Sequence, residues 1–117
     1  MSDDDATVDQ LPRDPMHMYL LLYSGGRMPE TEEETNAMTD AWGAWLAGIG
    51  DALLDGNPFT PNAKSLSPDG GVSDGPIGPM ASGYSMIKVR SMDEAVEMAK
   101  GCPAKLSGAS ISIFEVM

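Results

Sequence analysis

Short segments in which apolar and aromatic residues dominate recur along the chain, each bounded by glycine or proline. Short apolar segments with glycine or proline at their ends are typical of β-strands. The pattern therefore predicts four strands, at residues 17–23, 53–59, 83–89 and 108–116.

Between these segments, apolar residues recur at helical spacing. Thr31 with Glu34, and Ser91 with Glu94, match the capping box that begins many helices. Glycine stops follow at positions 50 and 101. We therefore predict two helices, the first from residue 31 to 49 and the second from residue 91 to 100. The predicted buried stripes are Met38, Trp42, Trp45, Leu46 and Ile49 in the first helix and Met92, Ala95, Val96 and Ala99 in the second.

A region rich in glycine and proline separates the two halves. The quartet Pro68-Asp69-Gly70-Gly71, flanked by residues 64–67 and 72–73, predicts a β-hairpin. The tripeptide Asp74-Gly75-Pro76 follows and predicts a tight turn, because glycine tolerates positive φ and proline fixes φ. A carboxylate on such a turn is held in place by the backbone.

The order β-α-β, hairpin, β-α-β predicts an α+β fold: a ferredoxin-like split βαβ sandwich on one antiparallel sheet, with both helices on one face. On the first strand, Met18, Leu20 and Leu22 form a wholly apolar face, which we expect to meet the helices. The other face would then carry residues with polar tips, namely His17, Tyr19 and Tyr23 from the first strand and Tyr84 from the third, together with Met86. A bare sheet face predicts an interface, so we expect a homodimer with the two sheets face to face.

Composition narrows the functional class. The 117 residues fit one domain, residues 16–117, after an acidic tail at residues 1–15 that we expect to be disordered or loosely attached. The net charge of -11 argues against a nucleic-acid partner. No apolar run is long enough to span a bilayer and no signal segment is recognisable, so we expect a cytoplasmic protein with no membrane partner. One cysteine, Cys102, and one histidine, His17, exclude an intrachain disulfide and make a metal site improbable, and no cofactor is predicted.

Three residues are candidates for acid–base chemistry. Asp74 is a possible general base or ligand anchor, and the competing interpretation is that it caps its own turn. His17 is the possible partner acid, and the competing interpretation is an ordinary surface histidine. Asp55, beside Gly56, is a second candidate base or a turn residue. Tyr19, Tyr23, Tyr84 and Met86 are candidate ligand contacts.

The ordered set of motifs resembles the YCII-related family, in the branch named for its Asp-Gly-Pro-Phe motif. The motifs that carry the resemblance are Tyr19-Leu20-Leu21-Leu22-Tyr23, Trp42, the Gly50 stop, the hairpin, Asp74-Gly75-Pro76, Gly83-Tyr84, Ser91-Met92-Asp93-Glu94-Ala95 and Cys102-Pro103. The resemblance covers residues 16–117 and implies a dimeric α/β barrel of ferredoxin-like subunits. This chain departs from the family pattern at several places. Ile77 stands where the branch has Phe, and Pro79 stands where it has an acidic residue. The Arg-Pro that usually ends the last strand is absent, and the first helix has no histidine where the YCII-like branch has one.

Function in this family is poorly defined, which leaves three hypotheses. The first is a homodimeric protein of undefined function that binds a small organic ligand in a cleft near the Asp-Gly-Pro loop. The second is a lyase or isomerase that uses an aspartate base, because the resemblance includes a dehydrochlorinase-type lyase and a His-Asp pair in the YCII-like branch. The third is a regulatory partner of a sigma-factor-type transcription system. A polar pocket with paired titratable groups favours an enzyme, and an apolar pocket favours binding.

Overall fold

The secondary structure follows the predicted order in a computed structural model that describes residues 15–117. The predicted tail, residues 1–15, lies outside the described residues except for its last position. The strands are β1 (His17–Gly25), β2 (Leu53–Pro58), β3 (Lys64–Leu66), β4 (Val72–Asp74), β5 (Ala81–Val89) and β6 (Ala109–Val116). The helices are α1 (Glu32–Ile49) and α2 (Met92–Lys100), with 3-10 turns at Gly50–Ala52 and Pro103–Ser107.

Both predicted capping boxes are present. The Thr31 hydroxyl accepts a hydrogen bond from the Glu34 N–H at 3.0 Å, which satisfies one of the free donors at the start of α1. The Glu34 carboxylate reaches back to the N–H of Glu30 at 2.8 Å, one residue before the cap. Ser91 and Glu94 repeat the arrangement at α2. The helix starts are therefore set by local sequence.

The main sheet has four antiparallel strands in the order β2-β5-β1-β6. Residues from both helices, among them Trp42 and Trp45 of α1 and Ala95 and Ala99 of α2, pack against one core cluster. Both helices therefore cover the same face of the sheet. This is the ferredoxin-like α+β arrangement, so the predicted fold class is confirmed.

The prediction of which face of β1 meets the helices is wrong. Tyr19, Leu21 and Tyr23 are 2%, 0% and 5% exposed and belong to the core. Met18 is 37% exposed and Leu20 is half-buried, and both lie on the opposite face. Tyr19 and Tyr23 therefore do not belong to the open face.

The cause of the inversion is the pairing of β1 with β5. Opposite residues of an antiparallel pair lie on the same face, and Tyr19 pairs with Ile87 while Leu21 pairs with Ser85. The polar end of Tyr23 is compatible with burial because its hydroxyl donates to the Ser85 hydroxyl. Both faces of β1 are largely apolar. The alternation of its side chains therefore shows which residues share a face, but not which face meets the core.

The open face of the main sheet carries a largely apolar surface, although the register also places Lys88 and Ser112 on this face. By register, the other residues that form this surface are Met18, Leu20 and Leu22 of β1, Tyr84 and Met86 of β5, and Phe114 and Val116 of β6. We call these seven residues the open-face patch. Tyr84 and Met86 lie where they were predicted.

The predicted hairpin forms a separate two-stranded sheet of β3 and β4. At its end, Asp69 accepts hydrogen bonds from the Gly71 N–H at 3.0 Å and from the Ser67 hydroxyl. Both bonds lower the pKa of Asp69, and the bond from the Ser67 hydroxyl has the larger effect. Leu66 and Val72 are 65% and 64% exposed, so the hairpin contributes little to the core.

Candidate functional site

A cavity of about 510 Å³ lies between α1 and one end of the main sheet. Its volume falls within the range of roughly 300–1,000 Å³ that is usual for small-molecule sites. The helix side is formed by Met38, Trp42 and Leu46, and no residue of α1 is fully buried. The apolar stripe of α1 therefore borders a space that the protein itself does not fill.

The sheet side of the cavity contains a buried pair of hydroxyl groups. The Tyr23 hydroxyl donates to Ser85 Oγ at 2.6 Å and accepts from Cys102 Sγ at 3.4 Å. Ser85 is 3% exposed. Burial, helped by the Cys102 contact, raises the pKa of Tyr23 well above its ordinary value of 10.0. This phenol stays protonated near neutral pH, so it is suited to hydrogen bonding and not to proton abstraction.

Two tryptophans position the wall formed by α1. Trp42 meets the Tyr23 ring edge-on, with centroids 5.8 Å apart and planes at 64°. Trp45 packs edge-on against Trp42 at 5.6 Å and donates its indole N–H to the carbonyl of Met98 in α2 at 3.1 Å. Trp45 thus fixes α1 to α2, and Trp42 is held as one side of the cavity.

Glycines keep the strands at the cavity close together. Gly83 lies opposite Tyr23 in the register, on the face that lines the cavity. A Cβ there would lie 3.0 Å from the carbonyl oxygen of Asn57. A Cβ at Gly56 would lie 3.0 Å from the carbonyl oxygen of Tyr84. Side chains at these two positions would disturb the strand pairing that shapes the cavity floor.

Arg27 lies at the end of the cavity that follows β1. It is the only charged residue among those that line the cavity, and no described carboxylate, within residues 15–117, forms an ion pair with it. Its N–H donates to the Ser107 carbonyl at 2.9 Å, which anchors the backbone. The preceding Gly26 has φ +83°, and a Cβ there would lie 2.7 Å from Ser107 Oγ. The chain turns here through a position that requires glycine.

The structure places the three acid–base candidates apart from the cavity and from one another. Asp74 ends β4 on the hairpin, its side chain is 92% exposed, and it pairs with Lys64 at 2.5 Å. His17 begins β1, six residues before Tyr23, which corresponds to about 20 Å of strand. Its Nδ1 lies 3.7 Å from a Glu115 carboxylate oxygen. None of these side chains lines the cavity.

Asp55 lies on the open face of β2. A register shift between Leu53 and Asp55 leaves Leu54 unpaired, so Leu53 pairs opposite Ile87 on the core side. Asp55 accepts a hydrogen bond from the Tyr84 hydroxyl at 2.6 Å. This pair lies on the sheet face that the cavity does not occupy.

The Asp-Gly-Pro turn is held by its backbone. Gly75 has φ +83°, its N–H donates to the Ala63 carbonyl at 2.8 Å, and its carbonyl accepts from the Ser65 hydroxyl at 2.6 Å. The turn therefore closes the base of the hairpin. No residue from 74 to 79 lines the cavity.

Of the four predicted ligand contacts, only Tyr23 has its side chain on the cavity side of the sheet; Tyr84 borders the cavity, but its side chain bonds Asp55 on the open face. Tyr19 is in the core, where burial and then the Glu115 charge raise the pKa of its phenol above 10.0. Met86 lies on the open face. The sequence analysis missed Arg27 and Ser85 altogether. One signal was available for Arg27, because it is the only Lys or Arg between residues 14 and 63 of an acidic chain.

Within residues 15–117, no group of three His, Cys, Asp or Glu residues is arranged to hold a metal ion. Neither described helix is long and apolar enough to cross a membrane.

No protein-family model matches the chain, and no curated protein matches it. Among solved structures, it is similar to 5-chloro-2-hydroxyhydroquinone dehydrochlorinase (TftG) from Burkholderia phenoliruptrix AC1100, in complex with 2,5-dihydroxybenzoquinone. The TM-score is 0.52 at 18% identity, over 85% of this chain and 93% of that chain. Hydroxynitrile lyase from Passiflora edulis (PeHNL) gives a TM-score of 0.39 at 8% identity, over 90% of this chain and 96% of that chain.

The similarity to the dehydrochlorinase concerns the fold alone at this identity, and the lower TM-score of the hydroxynitrile lyase adds nothing to it. The ferredoxin-like fold is therefore supported by comparison as well as by strand order. Membership of the YCII-related family stays a prediction.

Proposed function

We propose that this protein binds a small organic molecule in the cavity between α1 and the main sheet. The observation that carries the proposal is the unfilled space beside the apolar stripe of α1. The side chains of α1 that border this space are not fully buried, and a ligand in it would remove their apolar surface from water. A mostly apolar lining with a few polar groups is usual in small-molecule sites.

The lining favours recognition over acid–base catalysis. It includes no Asp, Glu or His, and its buried phenol, Tyr23, is kept protonated by burial. A general base needs a pKa near the working pH and a position beside the substrate. Catalysis by Asp74, Asp55 or His17 would require a second site, because these side chains lie outside the cavity. We therefore favour the binding hypothesis over the lyase or isomerase hypothesis.

A ligand that binds only the folded protein raises the free energy of unfolding, by about 2.7 kcal/mol at a concentration 100 times Kd. The proposal is tested with a set of small aromatic acids, phenols and amines, first by thermal denaturation and then by titration calorimetry. We expect a subset of these compounds to raise the melting temperature and to bind with one site per chain.

The location is tested by filling the cavity. Leu46→Trp adds volume to the lining of α1, and Leu66→Trp makes the same change on the exposed hairpin as a control. Binding should be lost in the first variant and retained in the second. If Leu46→Trp binds the selected compounds as tightly as the unaltered protein, the cavity is not their site.

We further propose that two copies pair through the open-face patch. Phe114 remains 51% exposed and Met18 37% exposed on a face that also carries four other apolar side chains and Tyr84. Contiguous apolar surface of this kind marks interaction sites, and a sheet face can supply the roughly 800 Å² per partner that a stable interface needs.

The dimer is tested by light scattering coupled to size-exclusion chromatography. Phe114→Asp places a charge in the open-face patch and should shift the protein to a monomer. Leu106→Asp is the matched control, because Leu106 is 67% exposed on the 3-10 turn after α2, away from the patch. An unaltered protein that is monomeric at high concentration contradicts the proposal.

A further inference from the structure

The charge inside the cavity contrasts with the charge of the chain. The protein carries a net charge of -11, yet the one charged residue that lines the cavity is the cation Arg27. The other polar groups in the lining are neutral hydroxyls, an amide and backbone atoms. A cationic ligand would be repelled by this guanidinium and a neutral ligand would gain at most a hydrogen bond from it, whereas an anion would gain a charge pair as well.

Among the described residues, Glu34 is a carboxylate that shares a recess with Arg27. It lines a smaller adjoining recess of about 210 Å³ together with Arg27. One oxygen of this carboxylate is occupied by the Glu30 N–H at 2.8 Å, where it forms part of the cap of α1. Glu34 does not line the main cavity, so the guanidinium remains the cation of that space.

We infer that the ligand of the cavity is a monoanion with a flat, apolar, ring-containing body and a carboxylate that pairs with Arg27. This inference rests on the proposed function and names the ligand class. An arginine side chain offers a planar pair of N–H donors that matches the two oxygens of a carboxylate.

The shape of the site supports a flat body. Trp42 forms part of the helix side, and on the sheet side Gly83 lies opposite Tyr23 and, like Gly56, carries no side chain. Arg27 follows Tyr23 by four residues, so their backbones lie no more than about 14 Å apart. A ligand of one or two rings can therefore contact the aromatic pair with its body and the guanidinium with its acid group.

The Tyr23 and Ser85 hydroxyls add a neutral polar contact at the floor. Since Tyr23 donates to Ser85, the Ser85 proton is available for an acceptor on the ligand. A ring hydroxyl or carbonyl oxygen opposite the carboxylate would use it. The two polar ends of the cavity thus differ in charge, which would fix the orientation of the ligand.

The test compares two probes that differ in charge at constant shape: 2-naphthoate, an anion, and 2-naphthamide, its neutral isostere. Titration calorimetry at low and high salt should show 2-naphthoate binding about tenfold more tightly than the amide, since the carboxylate adds an opposite charge and a second acceptor oxygen for the guanidinium. The preference should shrink as salt rises.

The assignment to Arg27 is tested with Arg27→Gln, which should remove the preference for the anion, and Arg27→Lys, which should retain part of it. Arg90→Gln is the matched control, because Arg90 is also an exposed arginine but lies before α2 and does not line the cavity. Circular dichroism confirms that each variant is folded.

The possible failures are distinguishable. Equal binding of the acid and the amide in the unaltered protein overturns the ligand class but leaves the cavity as a binding site. An acid preference that persists in Arg27→Gln overturns the role of Arg27. Absence of binding by either probe overturns the class, and the Leu46→Trp comparison then decides the proposed function independently.

Discussion

The hydroxyl pair at the floor of the cavity leads to a prediction about stability. Tyr23→Phe removes one oxygen and leaves the ring contact with Trp42 in place. The Ser85 hydroxyl, 3% exposed, then loses the partner that it has at 2.6 Å, and Cys102 loses its acceptor. The variant therefore measures how much the buried polar contact contributes to the free energy of unfolding, separately from the apolar packing around it.

A buried hydroxyl left without a partner costs about 1–3 kcal/mol. We take the lower half of this range, about 1.5 kcal/mol, because Ser85 borders the cavity and water can replace part of the lost bond. For a domain of this size, the denaturant dependence of unfolding is about 1.5 kcal/mol per molar urea, so the midpoint should fall by about 1 M. Ser85→Ala and the double variant complete a cycle whose coupling energy should be about 1 kcal/mol.

The assay is urea denaturation followed by tryptophan fluorescence at one protein concentration, with the oligomeric state of each variant checked beforehand. Tyr84→Phe is the matched control. Its hydroxyl also makes a 2.6 Å hydrogen bond, to Asp55, but on the open face of the same sheet. We expect the control to change stability by less than about 0.5 kcal/mol when both tyrosine variants are made in the monomeric Phe114→Asp background, because water then reaches the open face and can replace the lost partner. If the two variants lose equal stability, burial is not what gives the Tyr23 contact its value.

Three further predictions concern other parts of the molecule. Burial raises the pKa of the Cys102 thiol above its ordinary 9.0, so the folded state holds this proton more tightly than the unfolded state. The stability from this group should be fully present well below pH 9 and decrease above it. Cys102→Ala should therefore flatten urea-unfolding profiles recorded up to about pH 9.5, below the range in which the raised pKa values of Tyr19 and Tyr23 have the same effect. An unchanged profile contradicts this assignment. Gly26→Ala should cost at least about 1 kcal/mol more than Gly25→Ala in the same urea assay, because both glycines have positive φ but only at Gly26 would the new methyl meet an atom, at 2.7 Å. Equal losses would show that the contact relaxes freely. Asp74→Asn should leave calorimetric affinity for 2-naphthoate unchanged, because this carboxylate lies on the hairpin outside the cavity; a clear loss of affinity would bring the Asp-Gly-Pro turn back into the site.

Local sequence was sufficient for the elements of this fold. Thr31 and Ser91 begin helices because a side-chain oxygen can satisfy a free N–H within the same turn of chain. The hairpin forms where Gly70 and Asp69 supply the backbone conformation and the capping oxygen. These interactions join residues only a few positions apart, so they are legible in the sequence. The order of the elements then restricted the topology to the ferredoxin-like arrangement.

The faces of the sheet and the position of the site were decided by tertiary structure. Alternation along β1 shows that Tyr19 and Leu20 point to opposite sides, but the direction of the core depends on pairing with Ile87, 68 positions after Tyr19. The ligand cleft was predicted near the Asp-Gly-Pro turn because glycine, proline and aspartate suit a loop that contacts a ligand. They suit the base of a hairpin equally, and the backbone contact from Gly75 to Ala63 is what places the turn there.

The pattern of apolar residues could not predict the cavity, for a physical reason. Trp42 at helical spacing predicts an apolar surface on α1, and the same spacing results whether that surface meets a strand or an empty space. The position of α1 over the sheet depends on how Trp45 anchors the helix to α2, and the glycines of β2 and β5 keep the strands at the cavity floor close together. Arg27 joins Tyr23 and Ser85 in one lining only after that position is set. The sequence alone therefore determined which elements form, and the packing of α1 against α2 and the sheet decided where a ligand would fit.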